Sequence, residues 1–411
     1  MVTLRLMRVL MLSTYDRLGG AAIAARRLHD GLRAAGVDSL MLVHEKTDPD
    51  ASVISAYSRL NTVERFRLSQ SIRRHGAALG RYPERTTADW SINRWENGLR
   101  TAIESLQPDI LHLHWVGNGY MPLQTLSRIR VPVVWTLHDM WAFTGGCHYT
   151  DGCEQYTDSC GCCPQLASDT VRDLSRSGWM LRQRHLPVER LTVASPSRWL
   201  ADCARKSSLL AKAVIDVIPN GLSLDRFRPF DRSLARSVFG LPHDTPLILF
   251  GAVNSTSTPR KGYVYLKQML LDLPAGVHTV VFGTFDGLDL PSSTTSVGVL
   301  RDEHTMALLY AAADVFVAPS TQDNLPNTVM EALACGTPVV AFRIGGMPDL
   351  ITHGQTGYLA QPFDTTDLAA GVTACLENPS WGQAGRRDAE ARYGIDHAAR
   401  RYLELYRSLL P

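Results

Sequence analysis

The sequence predicts an α/β protein with two Rossmann-like domains, each a doubly wound parallel sheet. Short apolar runs rich in β-branched residues alternate with longer stretches of helical periodicity along the chain, a pattern typical of βαβ units. The chain has 411 residues, which is more than one hydrophobic core usually supports. The strand-like runs also fall into two series with a turn-rich stretch between them. We therefore expect two domains of about 200 residues each.

The two series of strand-like runs alternate with helical patterns in the same way. In the first predicted helix, Ala22, Ala25, Leu28 and Leu32 recur at helical spacing, and Gly36 is a stop signal. The predicted strands of the first series are residues 9–14, 39–45, 110–115, 131–139 and 191–197. Those of the second series are residues 247–253, 278–284, 294–300, 315–320 and 338–344.

The stretch VIPNGLSLDRFRPF is rich in turn formers, and we place the hinge between the domains just before it. The expected N-terminal domain covers residues 1–212 and the expected C-terminal domain covers residues 213–390. A closing helix over residues 391–411 is expected to pack back toward the N-terminal domain. Open parallel sheets bind ligands outside the carboxyl ends of their strands, so a cleft between the domains is the expected site.

The composition limits the kinds of partner. The 42 basic and 40 acidic residues leave a formal net charge of +2, which does not favour nucleic acid as a partner. The sequence contains no run of about 18 apolar residues, which is the length that a membrane-spanning helix needs. Arg5 and Arg8 interrupt the apolar N-terminus, which favours a buried strand over a signal peptide. We therefore expect a cytoplasmic protein.

Residues 58–86 hold many arginines between apolar residues such as Phe66 and Leu68. Such a surface suits peripheral contact with anionic lipid headgroups at the inner face of the cell membrane, or contact with a phosphate-bearing acceptor. The alternative is a solvated helical face, which is what charge runs usually are.

Five of the eight cysteines fall in one 17-residue stretch, inside an insertion that we place at residues 145–165. In a reducing compartment such clustering indicates a metal site rather than disulfides. Four thiolates suit a tetrahedral structural Zn²⁺, while an iron–sulfur cluster or buried reduced thiols are alternatives. A four-thiolate site has no open position, so we expect no catalytic role for it. The candidate ligands are Cys147, Cys153, Cys160 and Cys163.

Residues 318–351 hold the most informative pattern. A predicted strand ends at Ser320, a polar loop follows, and a helix begins near Pro326 or Asn327. The backbone N–H groups and positive dipole end of such a helix suit a diphosphate. Asp323 lies in the loop and Glu331 lies eight positions later on the helix, so both carboxylates can face one elongated ligand. The residues expected to form the anion site are Asn324, Leu325, Pro326 and Asn327.

This motif reads Asp323-x7-Glu331 and is followed by Gly336-Thr337-Pro338-Val339. With the Gly-Gly loop near residue 19, the histidine after the fourth strand and the IPNG sequence at 218–221, it resembles the retaining glycosyltransferases of family four. The resemblance is to members of the bacterial polysaccharide-biosynthesis type with a cysteine-rich insertion. That family has the GT-B architecture of two Rossmann-like domains facing each other across a cleft. It usually has Glu where this chain has Asp323, a shorter side chain that would shift the sugar or change which sugar fits.

The resemblance implies roles for residues of the C-terminal half. Glu331 would bind the ribose hydroxyls of the nucleotide, and Asp323 would accept hydrogen bonds from hydroxyls of the donor sugar. Arg260 and Lys261 would neutralise the donor diphosphate, where negative charge builds as the sugar leaves. The family often has another arginine directly after a strand glycine, but this chain reads Gly-Ala-Val-Asn at residues 251–254. Arg260 would then substitute, or the second cation is missing.

The remaining site residues implied by the resemblance contact other parts of the donor. His138 would contact sugar hydroxyls near the reacting carbon, as a catalytic residue together with Asp323, Lys261 and Glu331. Backbone at Gly19 and Gly20 would approach the phosphate or the acceptor, because glycine has no side chain to clash. The nucleobase would lie near Val299 and Leu300.

The implied reaction moves a sugar from a UDP-sugar or GDP-sugar to an acceptor hydroxyl, with retention of configuration and with no catalytic metal or other cofactor. No Asp-x-Asp triplet stands where it would chelate Mg²⁺ on the diphosphate. The implied acceptor is a sugar or a lipid-linked oligosaccharide in surface or exopolysaccharide biosynthesis. A soluble small-molecule acceptor is one alternative, and a catalytically inactive sugar-nucleotide-binding module is another.

Overall fold

The computed structural model describes residues 7–86, 90–252, 258–284 and 293–410. The chain divides into two compact units: Met1–Ile218 with Ala398–Pro411, here the N unit, and Pro219–His397, here the C unit. Each unit is built around one sheet in which all paired strands run parallel. The two-domain α/β architecture expected from the sequence is confirmed. The first unit extends to residue 218 rather than 212 because a last strand, Val214–Val217, which was not predicted, joins its sheet.

The N unit contains a seven-stranded sheet. Its strands are β1 (Arg8–Tyr15), β2 (Asp38–Glu45), β3 (Val53–Ser55), β4 (Ile110–Leu113), β5 (Val133–Thr136), β6 (Leu191–Ser195) and β7 (Val214–Val217). Its helices are α1 (Gly20–Ala34), α2 (Thr62–Leu79), α3 (Leu99–Ser105), α4 (Leu123–Arg128), α5 (Leu174–His185) and α6 (Arg198–Lys206). The strand order is β3-β2-β1-β4-β5-β6-β7. The strand order therefore reverses between β1 and β4, the switch point at which doubly wound sheets bind ligands.

The core of the N unit lies on both faces of this sheet. In β1, Val9 and Met11 pack with Leu28 of α1 on one face, whereas Leu10 and Leu12 pack in the cluster on the other face. Because side chains alternate across a strand, a strand covered on both faces is apolar at consecutive positions. This explains why the first four residues of the run VLMLST are all apolar.

The C unit contains a six-stranded sheet of order β10-β9-β8-β11-β12-β13. These strands are β8 (Leu247–Ala252), β9 (His278–Gly283), β10 (Thr294–Ser296), β11 (Val315–Ala318), β12 (Val339–Phe342) and β13 (Gly357–Ala360). Its helices are α7 (Arg232–Phe239), α8 (Tyr263–Leu271), α9 (Glu303–Ala312), α10 (Asn327–Ala334), α11 (Met347–Leu350), α12 (Thr365–Glu377) and α13 (Ser380–Arg392). The order reverses between β8 and β11, which places the switch point of this sheet at the ends of those two strands.

The last helix, α14 (Ile395–Leu409), completes the N unit from residue 398 onward. The hydroxyl of Tyr406 lies 2.6 Å from His112 Nδ1, and the hydroxyl of Tyr402 lies 2.7 Å from Thr136 Oγ1. All four side chains are buried, so the helix is held to β4 and β5 by hydrogen bonds as well as by apolar packing. No helix within the described ranges combines the length and apolarity that crossing a bilayer requires.

Candidate functional site

Two segments of the C unit meet at its switch point. Residues Pro259–Lys261 form a single 3₁₀ turn ahead of α8, and the loop after β11 carries Asp323. Lys261 Nζ donates to Asp323 Oδ2 over 2.7 Å, and the Arg260 guanidinium lies 3.3 Å from the same oxygen. The backbone N–H of Thr321 donates to the Arg260 carbonyl over 2.8 Å, which ties the two segments together. Two cations therefore converge on one carboxylate.

Two glycines permit this close approach. Gly262 has a φ of +76°, and a Cβ there would lie 1.8 Å from the Pro319 carbonyl oxygen. Gly345 has a φ of +50°, and a Cβ there would lie 2.1 Å from the Asp323 carbonyl oxygen. Only glycine combines this backbone conformation with such a short contact. The positions of Lys261 and Asp323 are thus fixed by the backbone as well as by their ion pair.

The charges of this cluster keep the carboxylate ionised. Burial raises the pKa of Asp323, but the positive charges of Lys261 and Arg260 outweigh burial and lower that pKa to about 2. Burial lowers the pKa of Lys261, and the Asp323 carboxylate only partly offsets this effect. At neutral pH the cluster of two cations and one anion carries a net positive charge, as an anion site requires.

Helix α10 begins next to this cluster, at the residue that the sequence predicted. Asn324 follows Asp323 directly and donates its backbone N–H to Asp323 Oδ1 over 3.0 Å. Leu325 is buried, and Pro326 is the N-cap residue of the helix. In the described chain no side chain caps α10 and no acidic residue lies in its first turn. Asn220, from the IPNG sequence, donates to Asn327 Oδ1 over 3.4 Å.

Glu331 lies on α10 and is 6% exposed. The hydroxyl of Tyr310, on α9, donates to its Oε2 over 3.0 Å. Tyr310 is fully buried and was not among the residues that the sequence indicated. Val299 and Leu300 follow β10; Val299 is about half exposed, at 48%, while Leu300 packs against the C-unit core. Val253 and Asn254, where the family often has a further arginine, lie outside the described residues.

Gly19 and Gly20 lie at the N-terminus of α1, directly after the loop that follows β1. Gly19 is the N-cap residue with a φ of +85°, and Gly20 is the first helical residue. No side chain of the described chain caps this helix, and its first turn holds no acidic residue. A second helix N-terminus without a side-chain cap therefore lies at the switch point of the N-unit sheet.

His138 lies two residues beyond the end of β5, not in the strand as the sequence predicted. The strand ends at Thr136, and His138 begins the loop that leads into the cysteine-rich segment, residues 145–165. Its Nε2 lies 3.0 Å from Nδ1 of His114, which follows β4. Burial lowers the pKa of His138 to about 4, so the ring is neutral at pH 7 and offers one donor and one acceptor. His114 was not indicated by the sequence.

The candidate metal ligands line one small cavity in the N unit, of about 20 Å³. Cys147, Cys160 and Cys163 are buried, and Cys153 is half-buried. Within the described residues, only His29, Asp30 and Asp50 bring three possible ligand atoms within 4.8 Å of one another, so no three of the cysteine sulfurs lie that close together. The histidine of that other group already contacts Ser39 and Ser52 through its two nitrogens.

The residues that the sequence indicated thus form two groups. In the C unit, direct contacts join Arg260, Lys261, Asp323 and Asn324 at the start of α10, and Glu331 lies farther along that helix. Glycines 19 and 20 and His138 lie in the N unit. The C-unit group combines positively charged side chains, a helix N-terminus and two carboxylates, which suits a ligand with a diphosphate and hydroxyl groups.

Comparison with known proteins agrees with this geometry. The family model described as Glycosyltransferase Family 4 matches residues 18–226, which is more than half of the chain. The model described as Glycosyl transferases group 1 matches residues 247–378. The D-inositol 3-phosphate glycosyltransferase of Geodermatophilus obscurus is 34% identical over 189 residues. That match covers 42% of this chain and 42% of the relative, so the similarity spans less than half of that enzyme's length.

Two solved structures share the fold over nearly the whole chain. Sucrose-phosphate synthase from Thermosynechococcus elongatus superposes with a TM-score of 0.69 at 21% identity, covering 98% of this chain and 99% of that one. Anabaena HepE, solved in complex with UDP and glucose, superposes with a TM-score of 0.67 at 17% identity, covering 98% and 100%. Two Rossmann-like units, the Asp323-x7-Glu331 pattern beside an open helix and the family-model match lead to one conclusion: the chain belongs to glycosyltransferase family 4.

Proposed function

We propose that the chain is a retaining glycosyltransferase that moves a sugar from a nucleoside diphosphate donor to an acceptor hydroxyl. The observation that carries the proposal is the convergence of Lys261 and Arg260 on Asp323 beside the N-terminus of α10. Family membership supports the same reaction class. The UDP in the Anabaena structure makes UDP-sugars the first donors to test, with GDP-sugars as the alternative.

In this proposal the cations act on the leaving group. As the bond between the sugar and the phosphate breaks, negative charge grows on the diphosphate, and fixed positive groups lower the barrier. Asp323 holds Lys261 in place before the donor arrives, and a carboxylate has about four lone-pair sites, so hydroxyls of the sugar can share it. Glu331, held by Tyr310, accepts from the ribose hydroxyls.

The remaining steps need no carboxylate nucleophile. The acceptor attacks from the face that the diphosphate leaves, and a diphosphate oxygen takes the proton of the acceptor hydroxyl. His138 is neutral at pH 7, so its role is to hydrogen-bond the sugar near the reacting carbon. We propose that the reaction is independent of divalent metal, because Lys261, Arg260 and the helix dipole supply the positive charge. The Asp-x-Asp pair of the N unit, Asp48 and Asp50, is bound by Arg26 instead.

For the acceptor we propose a hydroxyl on a phosphate-bearing molecule. Arg67 and Arg74, on α2, line an open groove of about 360 Å³ together with Phe66 and Trp95. The relative named above acts, by its name, on D-inositol 3-phosphate. A lipid-linked oligosaccharide of surface polysaccharide biosynthesis presents the same phosphate chemistry and would bring the protein to the membrane surface. Parallel assays with inositol 3-phosphate and with a lipid-linked oligosaccharide in vesicles distinguish the two sources.

The test begins with a panel of UDP- and GDP-sugars, followed by mass spectrometry for binding, slow hydrolysis and transfer. We expect one donor to be consumed. NMR of the product should show the same anomeric configuration, α or β, as that of the donor. Asp323→Asn and Glu331→Gln should each lower donor consumption at least tenfold, while Asp272→Asn, an exposed residue of the same unit, should not. Donor binding without turnover would favour the inactive binding module. Failure of every sugar nucleotide to bind would refute the proposal.

A further inference from the structure

The cysteine-rich segment brings four cysteines to one small cavity. The cavity of about 20 Å³ is lined by Cys147, Cys153, Cys160 and Cys163, with Thr144 and Tyr156 among its other walls. Four cysteines form the complete ligand set of a structural Zn²⁺ site.

Short backbone contacts hold two of the buried cysteines in place. The backbone N–H of Leu166 donates to the Cys163 carbonyl over 3.1 Å, which closes the turn Cys-Pro-Gln-Leu. The backbone N–H of Cys163 donates to the Asp173 carboxylate over 2.8 Å, and the hydroxyl of Thr144 donates to the Cys147 carbonyl over 2.7 Å. The backbones of both cysteines are therefore anchored, while their side chains line the cavity.

A buried arginine next to these sulfurs has one donor nitrogen to spare. Arg182 is fully buried on α5, and its Nη2 has no hydrogen-bond partner in the described chain. The groups that face it are the sulfurs of Cys160 and Cys147 and the carboxylate of Asp139. A buried cation is stable only when nearby anions compensate its charge. Four thiolates around one divalent cation carry a net charge of −2, which would add to the Asp139 carboxylate as counter-charge for Arg182.

The same residues connect the cysteine-rich segment to the loop of His138. Asp139 follows His138 and accepts from His148 Nδ1 over 2.7 Å, and His148 follows Cys147. The backbone N–H of Met140 donates to the His148 carbonyl over 2.9 Å. Arg182 also stacks on Trp141, with its guanidinium carbon 4.5 Å from the ring centre. Two short contacts thus connect the cysteine-rich segment to the residues beside His138.

We propose that Cys147, Cys153, Cys160 and Cys163 bind one Zn²⁺-like divalent cation, with Arg182 as its counter-ion, and that this site positions the His138 loop through His148 and Asp139. The second half rests on the proposed function of His138. A tetrahedral ion with Zn–S distances of about 2.3 Å places sulfurs about 3.8 Å apart. Because no three of the sulfurs lie within 4.8 Å of one another, binding would draw the cysteine-rich segment together.

Metal content of the full-length protein, purified under reducing conditions, tests the site directly. We expect elemental mass spectrometry to find one equivalent of zinc per chain. After replacement of the zinc by Co²⁺, we expect thiolate-to-metal charge-transfer absorption. Cys153→Ser and Cys160→Ser should lose the metal. Cys162→Ser, in the same segment but outside the cavity, should keep it. A wild-type chain that takes up no zinc or cobalt would overturn the proposal, and so would iron with sulfide in the purified protein.

Two further variants test the connections. Arg182→Met should weaken zinc retention against a competing chelator at least tenfold, and Arg182→Lys should restore part of it. His148→Gln should keep the metal, lower kcat several-fold and leave the KM for the donor nearly unchanged. An unchanged kcat would overturn the positioning role. If the wild-type protein transfers no sugar at all, the proposed function fails, while the metal stoichiometry still decides whether the site exists.

Discussion

Lys261 and Asp323 are 62 positions apart in sequence, and their side chains form an ion pair of 2.7 Å at the switch point of the C-unit sheet. The pair joins the turn after β8 to the loop after β11, and Arg260 adds a second cation to it. This arrangement gives a charged group that is held in place before a ligand arrives. Preorganised charge of this kind stabilises a transition state without a reorganisation cost during the reaction.

Replacing Lys261 by glutamine should remove most of the turnover. Loss of one preorganised donor to a developing anion typically lowers kcat by about 100-fold to 1000-fold. We expect a loss of that size in donor hydrolysis or transfer, with a smaller rise in KM, and partial recovery in Lys261→Arg. Arg387→Gln, which changes an exposed cation of the same unit, is the matched control. Equal losses in both variants would contradict a specific role for Lys261.

Replacing Tyr310 by phenylalanine should weaken nucleotide binding through Glu331. The change removes the hydroxyl that orients the Glu331 carboxylate and leaves the ring packing intact. A hydrogen bond to a charged group contributes about 1.5 kcal/mol, so the Kd for UDP measured by calorimetry should rise about tenfold. Tyr265→Phe, in a ring that packs against Phe342, should leave the Kd unchanged. An unaltered Kd in Tyr310→Phe would mean that Glu331 is not a nucleotide ligand.

Gly262 should not tolerate even an alanine. The new Cβ would meet the Pro319 carbonyl oxygen at 1.8 Å, so the turn that carries Lys261 would have to move. We expect a loss of several kcal/mol in the free energy of unfolding, or insoluble protein. Gly276→Ala has a similar φ of +94° but no atom within 4 Å, so it isolates the backbone term, about 1 kcal/mol. Thermal unfolding of both variants compares the two losses of stability. Equal shifts in melting temperature would contradict the steric argument.

The N unit should lose stability as the pH falls below about 6.5. Burial lowers the pKa of His112 to about 3, and burial with the charge of Arg26 lowers the pKa of His29 to about 3. Between those values and the unfolded value near 6.5, the unfolded chain binds protons that the folded chain does not, which favours unfolding. At pH 5 each such histidine costs about 2 kcal/mol.

Tryptophan fluorescence can follow this transition, because seven of the eight tryptophans lie in the N unit. Denaturant midpoints measured from pH 7.5 to pH 5 should fall steadily. His112→Gln should flatten the dependence, whereas His304→Gln, at an exposed position on α9, should not. If the denaturant midpoint depends on pH equally in the wild type and in His112→Gln, then His112 does not cause that dependence.

The sequence alone predicted the strands and helices whose pattern lies in consecutive residues. The predicted strands that lie inside the two sheets are all present, because strands buried on both faces read as unbroken apolar runs. The start of α10 was also predicted, since a strand, a polar loop and a proline occur in order. The strands that were not predicted, β3, β7 and β13, all lie at sheet edges. They have three or four residues each, and β7 is only partly buried, so they carry little periodic signal.

The site was predictable as a set of residues but not as a set of contacts. The motif indicated Asp323, Glu331 and Lys261, yet nothing local shows that Lys261 pairs with Asp323 rather than standing free. Tyr310 and His114 were not anticipated, because each meets its partner through the fold and not through a sequence pattern. His138 was placed inside a strand because apolar residues continue to Leu137, whereas the strand ends one residue earlier.

Because α14 packs against the N unit, that unit cannot complete its fold until α14 has been synthesised. Tyr402 and Tyr406 fill the interior beside His112 and Thr136, yet they are synthesised after the whole C unit. During translation the C unit can finish folding on the ribosome while the N unit still lacks its final helix. A fragment that stops at residue 218 would expose that apolar face, so isolating the N unit requires splicing residues 398–410 directly behind β7.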